Sequence, residues 1–196
     1  MVSTQVPAPI RAWPAQGEWT YEDWLQLPDD GSRYEVIDGV LHVTPTPSIA
    51  HQSVSGRLFL ALANLADARR LGRVLAAPVG VRLPGQDVPF QPDLVFVSAG
   101  RSEIIGTQFN EGVPDLVAEI LSPSNWPYDR GDKLRVYQSA GVPEYWLVDY
   151  RTKTIEVLVL ERGEYTLLGV WQSGETAHSR VLESFEIAVD DVFRDV

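Results

Sequence analysis

Apolar and polar positions alternate along the chain with two different periods, one typical of helices and one typical of strands. The longest helical pattern covers about residues 50–70, where apolar side chains recur every three or four positions. Ser48 is placed to cap this helix at its N-terminus, and Gly72 is placed to end it. The apolar positions that define its buried face are Val54, Leu58, Leu62 and Leu65.

Two shorter helices are predicted from residues that commonly begin or end a helix. One covers residues 20–27, where Thr20 and Asp23 form a capping-box pattern. The other covers about residues 129–139 and is ended by Gly141.

Strand patterns account for most of the remaining chain. The pair Asp38-Gly39 lies between two apolar segments and predicts a hairpin over residues 33–43 with a type I′ turn. Residues 74–83 predict one bent strand, and the polar residues 98–112 predict a loop or a lid. Further strands are predicted at residues 88–97, 114–121 and 144–149, and a meander at 154–160, 165–171 and 184–189.

These elements predict one α/β (α+β) domain over residues 20–196, in which helices flank a mixed central sheet. The early hairpin and the C-terminal meander are additions to that sheet. Residues 1–19 are predicted to form an extended arm, which Trp13 would dock onto the domain. A chain of 196 residues is long enough to bury one sizeable core.

Composition and charge narrow the classes of function. The chain has no cysteine, which excludes disulfides and thiolate metal sites. It has no apolar run long enough to span a membrane and no signal-peptide pattern, so we expect a cytoplasmic protein. Sixteen basic residues stand against 27 acidic ones, for a net charge of −11. This acidity counts against tight, metal-free, non-specific DNA binding, because nucleic-acid binders normally present a basic surface.

Two acidic residues interrupt otherwise apolar strands, namely Asp93 and Glu119. An ionised carboxylate is costly in such a strand unless a cation or hydrogen bonds compensate it. Magnesium and manganese prefer oxygen ligands, and Glu35 and the backbone carbonyl of Ile120 are candidate further ligands. Lys133, on the following helix, could neutralise charge on a phosphate or position a water molecule. The set predicts a metal-dependent site that acts on phosphate esters.

Each of these residues also has a purely structural interpretation. Asp93 could sit at the start of its strand and face solvent. Glu119 could form a buried ion pair with Lys133 without any catalysis. Lys133 lies one helical turn after Asp129, which is the favoured order for a surface pair.

Several other polar residues are weaker candidates. His51 at the start of the long helix and Tyr137 one turn after Lys133 are candidate accessory residues, as is Asp129. His42 and His178 have no companions at ligand spacing, so a histidine-rich zinc site is not supported. The glycines form neither a P-loop nor a dinucleotide-binding pattern.

Short motifs follow one another in a fixed order through the chain. They are Tyr34-Glu35-Val36-Ile37-Asp38-Gly39, Pro47-Ser48 with His51, Pro92-Asp93-Leu94, Pro114-Asp115-Leu116-Val117-Ala118-Glu119-Ile120-Leu121-Ser122-Pro123-Ser124, Asp129 and Lys133 with Tyr137, and Gly141-Val142-Pro143-Glu144-Tyr145-Trp146-Leu147-Val148-Asp149. In this order and spacing, over roughly residues 20–190, they closely resemble the Uma2 family. Members of that family, formerly a domain of unknown function, are labelled as restriction-endonuclease-like.

The Uma2 family in turn resembles the PD-(D/E)xK nuclease superfamily, whose core is a small mixed sheet flanked by helices. The resemblance implies that Asp93 is the first acid of the motif and Glu119 the second. The motif lysine would stand two residues after Glu119, where this chain has Leu121. Lys133 then resembles a migrated replacement, and Glu35 matches an acidic position that completes the metal site.

The function implied by the resemblance is a metal-dependent endonuclease that hydrolyses phosphodiester bonds with Mg²⁺ or Mn²⁺. Its expected substrate is nucleic acid, DNA rather than RNA, and it is expected to act as a homodimer without membrane association. The alternative is a catalytically silent interaction or regulatory module that keeps the nuclease fold. The net charge of −11 and the aromatics Trp126, Tyr128 and Trp146 favour that alternative.

Overall fold

The computed structural model describes residues 13–123 and 126–196, which form a mixed α and β structure. Its strands are β1 (Arg33–Ile37), β2 (Val40–Thr44), β3 (Gly72–Ala76), β4 (Gly80–Val81), β5 (Leu94–Ser98), β6 (Phe109–Asn110), β7 (Leu116–Leu121), β8 (Glu144–Asp149), β9 (Thr154–Glu161), β10 (Glu164–Trp171), β11 (Thr176–His178) and β12 (Glu186–Ala188). Its α-helices are α1 (Tyr21–Trp24), α2 (Ile49–Arg69), α3 (Trp126–Tyr128), α4 (Leu134–Ala140) and α5 (Val189–Val192).

Six strands form the central sheet in the spatial order β10-β9-β8-β7-β5-β3. Strands β7 and β8 are parallel, and the other neighbours are antiparallel. The parallel pair requires a crossover, which the segment containing α3 and α4 provides. The sheet is therefore mixed and carries helices, as the sequence predicted.

Helix α2 is capped as its sequence predicts but ends differently. The Ser48 Oγ accepts a hydrogen bond from the backbone N–H of His51, so Ser48 is the N-cap. The helix ends at Arg70, which takes the left-handed conformation with φ 54°. The prediction that Gly72 ends it was wrong. Gly72 instead begins β3 at φ 155°, where a Cβ would lie 2.1 Å from the carbonyl oxygen of Val97.

The two shorter helical segments also differ from their predicted limits. The capping box of Thr20 and Asp23 is present, but α1 ends at Trp24 rather than at residue 27. The helical segment predicted from residue 129 begins earlier, with α3. It continues as a π-helical turn over Asp129–Lys133 before α4, and Gly141 ends it in the left-handed conformation as predicted.

Several predicted strands pair in unexpected places. The prediction of one bent strand over residues 74–83 was wrong, because β3 joins the central sheet whereas β4 pairs with β6 in a separate sheet. The predicted loop over residues 98–112 contains β6 and a 3₁₀ helix over Ala99–Ile104. The last strand of the predicted meander does not extend the central sheet, because β12 pairs with β11 instead.

The central sheet separates two apolar clusters. One contains the buried face of α2 and the C-terminal segment, and the other contains Val136 and Tyr137 of α4. Along β7, Leu116, Ala118 and Ile120 belong to the α2 side, and Val117 and Leu121 belong to the α4 side. Because side chains alternate between the two faces of a strand, Glu119 faces α4.

The hairpin of β1 and β2 forms a two-stranded sheet of its own. Its turn residues Asp38 and Gly39 have φ 50° and 74°, which confirms the predicted type I′ conformation. In β1 the two-residue period places Arg33 and Glu35 on the same face as Ile37, which packs in the α4-side cluster. No helix in residues 13–123 or 126–196 is long and apolar enough to cross a membrane.

Candidate active site

Asp93 lies immediately before β5 and is 3% exposed, so it begins the strand without facing solvent. Its Oδ1 accepts a hydrogen bond from Nη2 of Arg33 at 2.8 Å. Its Oδ2 accepts one from the backbone N–H of Ile120 at 2.8 Å and lies 3.1 Å from Nε2 of His51. Burial alone would raise the pKa of Asp93, but His51 and the Arg33 guanidinium outweigh it and hold that pKa far below its ordinary value. Asp93 is therefore ionised at neutral pH.

Glu119 is the second buried carboxylate, one strand away on β7. Its Oε1 accepts hydrogen bonds from Nζ of Lys133 at 2.9 Å and from the hydroxyl of Tyr137 at 2.8 Å. Burial raises the pKa of Glu119, and the Lys133 ammonium only partly offsets this effect. A further cation near Glu119 would therefore favour its ionised form.

Lys133 is 1% exposed and is surrounded by carboxylates. Its Nζ lies 2.9 Å from Glu119, 3.2 Å from Oε2 of Glu35 and 3.5 Å from Oδ1 of Asp129. Burial alone would lower the pKa of Lys133, but these three carboxylates raise it well above its ordinary value. The interpretation of Lys133 as half of a surface pair with Asp129 was wrong. Asp129 is itself buried and is the most distant of the three partners.

The π-helical turn helps to explain why Lys133 points inward. Asp129, Lys133 and Tyr137 are spaced four residues apart, which places them on one face of a helix. The π turn lies between α3 and α4, and such turns are frequent at functional sites. All three residues are buried on the face that meets Glu119.

Glu35 reaches the same cluster from the hairpin. Its Oε1 accepts a hydrogen bond from the backbone N–H of Gln91 at 2.8 Å. Among the described residues, its Oε2 and the Oδ1 of Asp129 have no hydrogen-bond partner of good geometry, although both lie near Lys133. Buried oxygens of this kind are ready acceptors for a cation.

The network is unbalanced in charge. When its acids are ionised, four carboxylates face two permanently charged basic side chains, and the excess of negative charge equals that of one divalent cation. The members are Asp93, Glu119, Glu35 and Asp129 against Arg33 and Lys133. Burial strongly opposes such an excess, and it raises the pKa of Asp129 well above its ordinary value. Protonation of Asp129 would relieve part of the excess, and the remaining carboxylate oxygens are donors that fit a hard divalent cation.

The side chains are nevertheless not arranged as a ready-made metal site. Within residues 13–123 and 126–196, no group of three or more histidine, aspartate or glutamate residues is positioned to hold an ion. Arg33 and Lys133 satisfy the carboxylates that would bind it. Ile120 points its N–H at Asp93, and its carbonyl faces the same edge of β7 because both groups of a strand residue point the same way.

A cavity of about 570 Å³ opens beside the two acids and is lined by Asp93, Glu119, Asp129 and Ile120. Arg33 and His51 also line it, whereas Lys133 and Glu35 lie behind this wall. The cavity is further bounded by the segment from Thr44 to Ser48 and by Tyr150 after β8.

The residues predicted from the sequence converge in one place. The four acids, Lys133, Ile120, His51 and Tyr137 all belong to this network. Sequence reasoning missed Arg33, the guanidinium that pairs with Asp93. The signal was available, because Arg33 stands two residues before Glu35 and so shares its face of β1.

The mixed sheet, with one acid at the start of a strand and another on the neighbouring strand, is a nuclease-like fold. A crystal structure of a "putative nuclease belonging to DUF820" from Anabaena variabilis superposes with a TM-score of 0.73. The match covers 89% of this chain and 97% of the other at 19% sequence identity, which is a likeness of fold.

The chain belongs to the Uma2 family, whose model is described as "Putative restriction endonuclease" and matches residues 21–190. The family predicted from the sequence is thereby confirmed. No curated protein matches the chain.

Proposed function

We propose that this protein is a divalent-metal-dependent phosphodiesterase that cleaves nucleic acid, DNA rather than RNA. One observation supports this most strongly. The hydrogen bond from the Ile120 N–H to Oδ2 of Asp93 joins the first acid to the strand that carries Glu119, at the wall of a cavity. Two acids on adjacent strands beside open space can serve one metal-assisted hydrolysis.

In this proposal Asp93 and Glu119 hold Mg²⁺ or Mn²⁺, with Glu35 and the carbonyl of Ile120 as further ligands. The metal would supply Lewis acidity and a water molecule of lowered pKa. The protein's own groups orient the acids: Arg33 and His51 fix Asp93, and Tyr137 fixes Glu119.

Lys133 has a separate role in the proposal. Its ammonium lies within 3.2 Å of Glu119 and Glu35 and offsets part of their negative charge in the metal-free protein. With a cation held by those oxygens, the Lys133 ammonium would be available to stabilise charge on the phosphate or to align the attacking water.

The test measures melting temperature and cleavage together. Mn²⁺ at one hundred times its Kd should stabilise the wild type by about 2.7 kcal/mol, or roughly 5–10 °C for a chain of this size. The isosteric variants Asp93→Asn and Glu119→Gln should lose both this shift and metal-dependent cleavage of DNA.

Glu144→Gln is the matched control, because Glu144 is a buried carboxylate on the neighbouring strand β8 with partners outside the site. It should melt at a lower temperature but keep the shift. A wild type that neither shifts nor cleaves with Mg²⁺ or Mn²⁺ would refute the proposal.

The silent module is a second candidate, because Arg33 and Lys133 already form ion pairs with Asp93 and Glu119 in the metal-free protein. It predicts binding of a partner without turnover and no change of melting temperature with either metal. The same measurements therefore separate the two functions.

A further inference from the structure

The cavity restricts the kind of nucleic acid that can reach the acids. Its volume of about 570 Å³ is in the range of pockets that hold one small ligand. Asp93 and Glu119 are recessed in its wall, at 3% and 1% exposure. We infer that the site takes an unpaired nucleotide with its phosphodiester, not intact duplex. This inference rests on the proposed function and names its substrate class.

Four prolines restrict the backbone around the cavity. Pro45, Pro47, Pro78 and Pro123 all line it, and proline fixes the backbone φ. The segment carrying Pro45 and Pro47 leads directly into Ser48, which is bonded to the first turn of α2. The opposite wall is tied to the core by the Arg33–Asp93 pair. A phosphate held in a stacked duplex would have to leave the stack to enter.

The charges of the lining also disfavour a long run of phosphates. The acids Asp29, Asp93, Glu119 and Asp129 line the cavity together with the basic residues Arg33 and His51. Duplex binding draws its affinity from many basic contacts to phosphate. A single phosphate could be contacted by Arg33 and by a cation that the acids would hold. The neighbouring phosphates of a duplex would face acidic side chains instead.

A nucleotide can be held without many phosphate contacts if its base stacks on an aromatic ring. Tyr150 lines the cavity at the end of β8 and is half-buried against the core. The adjoining Asp149–Arg151 pair fixes the turn that presents it. An unpaired nucleotide could come from a single strand or from a free dinucleotide, and both offer the same base and phosphodiester.

Binding tests the inference without requiring turnover. The probes are a fluorescent single strand, the matching blunt duplex, and that duplex with one unpaired nucleotide, each titrated with Ca²⁺-loaded protein. The single strand and the bulged duplex should bind at least about tenfold more tightly than the blunt duplex, because extruding a paired base costs a few kcal/mol. Competition by an unlabelled dinucleotide then distinguishes the two sources, and either source supports the inference.

A cavity-filling variant provides the second arm. Gln52 is exposed on the first turn of α2 and lines the cavity, so Gln52→Trp should weaken single-strand binding at least fivefold. Leu60→Trp, at an exposed position further along α2, is the matched control and should bind normally. Both variants should keep the wild-type melting shift with Mn²⁺, because neither touches an acid.

Equal binding of blunt duplex and single strand, or no effect of Gln52→Trp, would overturn the inference. If the protein then still cleaves duplex with Mn²⁺, the proposed function stands and only the substrate class is wrong. Loss of every metal-dependent shift and of all cleavage in the wild type would instead refute the proposed function.

Discussion

Ile120 donates its backbone N–H to the carboxylate of Asp93, and this contact continues the sheet by means of a side chain. The ladder between β5 and β7 ends with the pair Leu94 and Ala118. Beyond that pair, the backbone N–H of Ile120 on β7 donates to the side chain of Asp93 instead of to a backbone carbonyl. A residue of the site is therefore also a structural link between two central strands.

Removing the Asp93 side chain should lower the free energy of unfolding. In Asp93→Ala the Ile120 N–H loses its acceptor and the Arg33 guanidinium is left buried without its partner. Breaking a buried pair in this way costs about 3–5 kcal/mol of unfolding free energy. Urea denaturation should show this loss, and a clearly smaller one for Asp93→Asn, which keeps an oxygen acceptor. Equal losses of unfolding free energy in both variants would show that an oxygen acceptor at position 93 does not stabilise the fold.

Lys133 should have opposite effects on stability and on metal binding. Lys133→Met leaves Glu119, Glu35 and Asp129 without their shared cation, so the metal-free protein should lose about 3–5 kcal/mol. Since Mn²⁺ no longer competes with the ammonium, the melting shift should be at least as large as in wild type. Cleavage should be lost. Calorimetry with and without Mn²⁺ checks the first two effects, and a smaller shift in the variant would show that Lys133 does not compete with the ion.

Arg33 should matter for the site although it stands outside the predicted motif. Arg33→Gln removes the charged donor to Oδ1 of Asp93, so cleavage should fall at least about tenfold, the equivalent of 1.4 kcal/mol. Arg33→Lys restores the charge but not the planar geometry, and it should recover part of the rate. The control is Arg73→Gln, on the exposed side of β3. If Arg33→Gln cleaved as fast as the wild type, Arg33 would have no role in the proposed cleavage.

The turn that carries Tyr150 should respond to acid. Burial alone would raise the pKa of Asp149, but the hydrogen bonds from Arg151 outweigh it and lower that pKa. A carboxyl whose pKa is lower in the folded protein than in the unfolded one stabilises the fold at pH values above its ordinary pKa. That stabilisation is lost as the pH falls through the lowered pKa of the folded state. Asp149→Asn should therefore cost about 1 kcal/mol at pH 7, a figure reduced by the exposure of Arg151.

This difference between Asp149→Asn and wild type should shrink as the pH falls below the ordinary carboxyl pKa, and it should vanish once the carboxyl is protonated in both the folded and the unfolded protein. Melting curves of the two proteins across this pH range provide the measurement. A gap that persists unchanged in acid would show that the charge of Asp149 is not its cause.

Local features of the fold were predictable because a few neighbouring residues decide them. The Asp38-Gly39 turn, the Ser48 cap, the Thr20–Asp23 capping box and the end at Gly141 each depend on contacts within about one turn of chain. The motifs likewise placed one acid next to β5 and the other on β7, and the family and the fold class followed from them.

The partners of those residues were decided by tertiary structure alone. Arg33 meets Asp93 across 60 positions of sequence, and no local pattern sets that distance. The same holds for β4, which was predicted to continue β3 but pairs with β6, and for β12, whose strand was predicted but whose partner is β11. Lys133 is the clearest case. Asp129, one helical turn earlier, suggested an exposed ion pair with Lys133. In the structure α4 packs on β7, and Lys133 is buried among three carboxylates. Carboxylates buried this close together require a cation beside them.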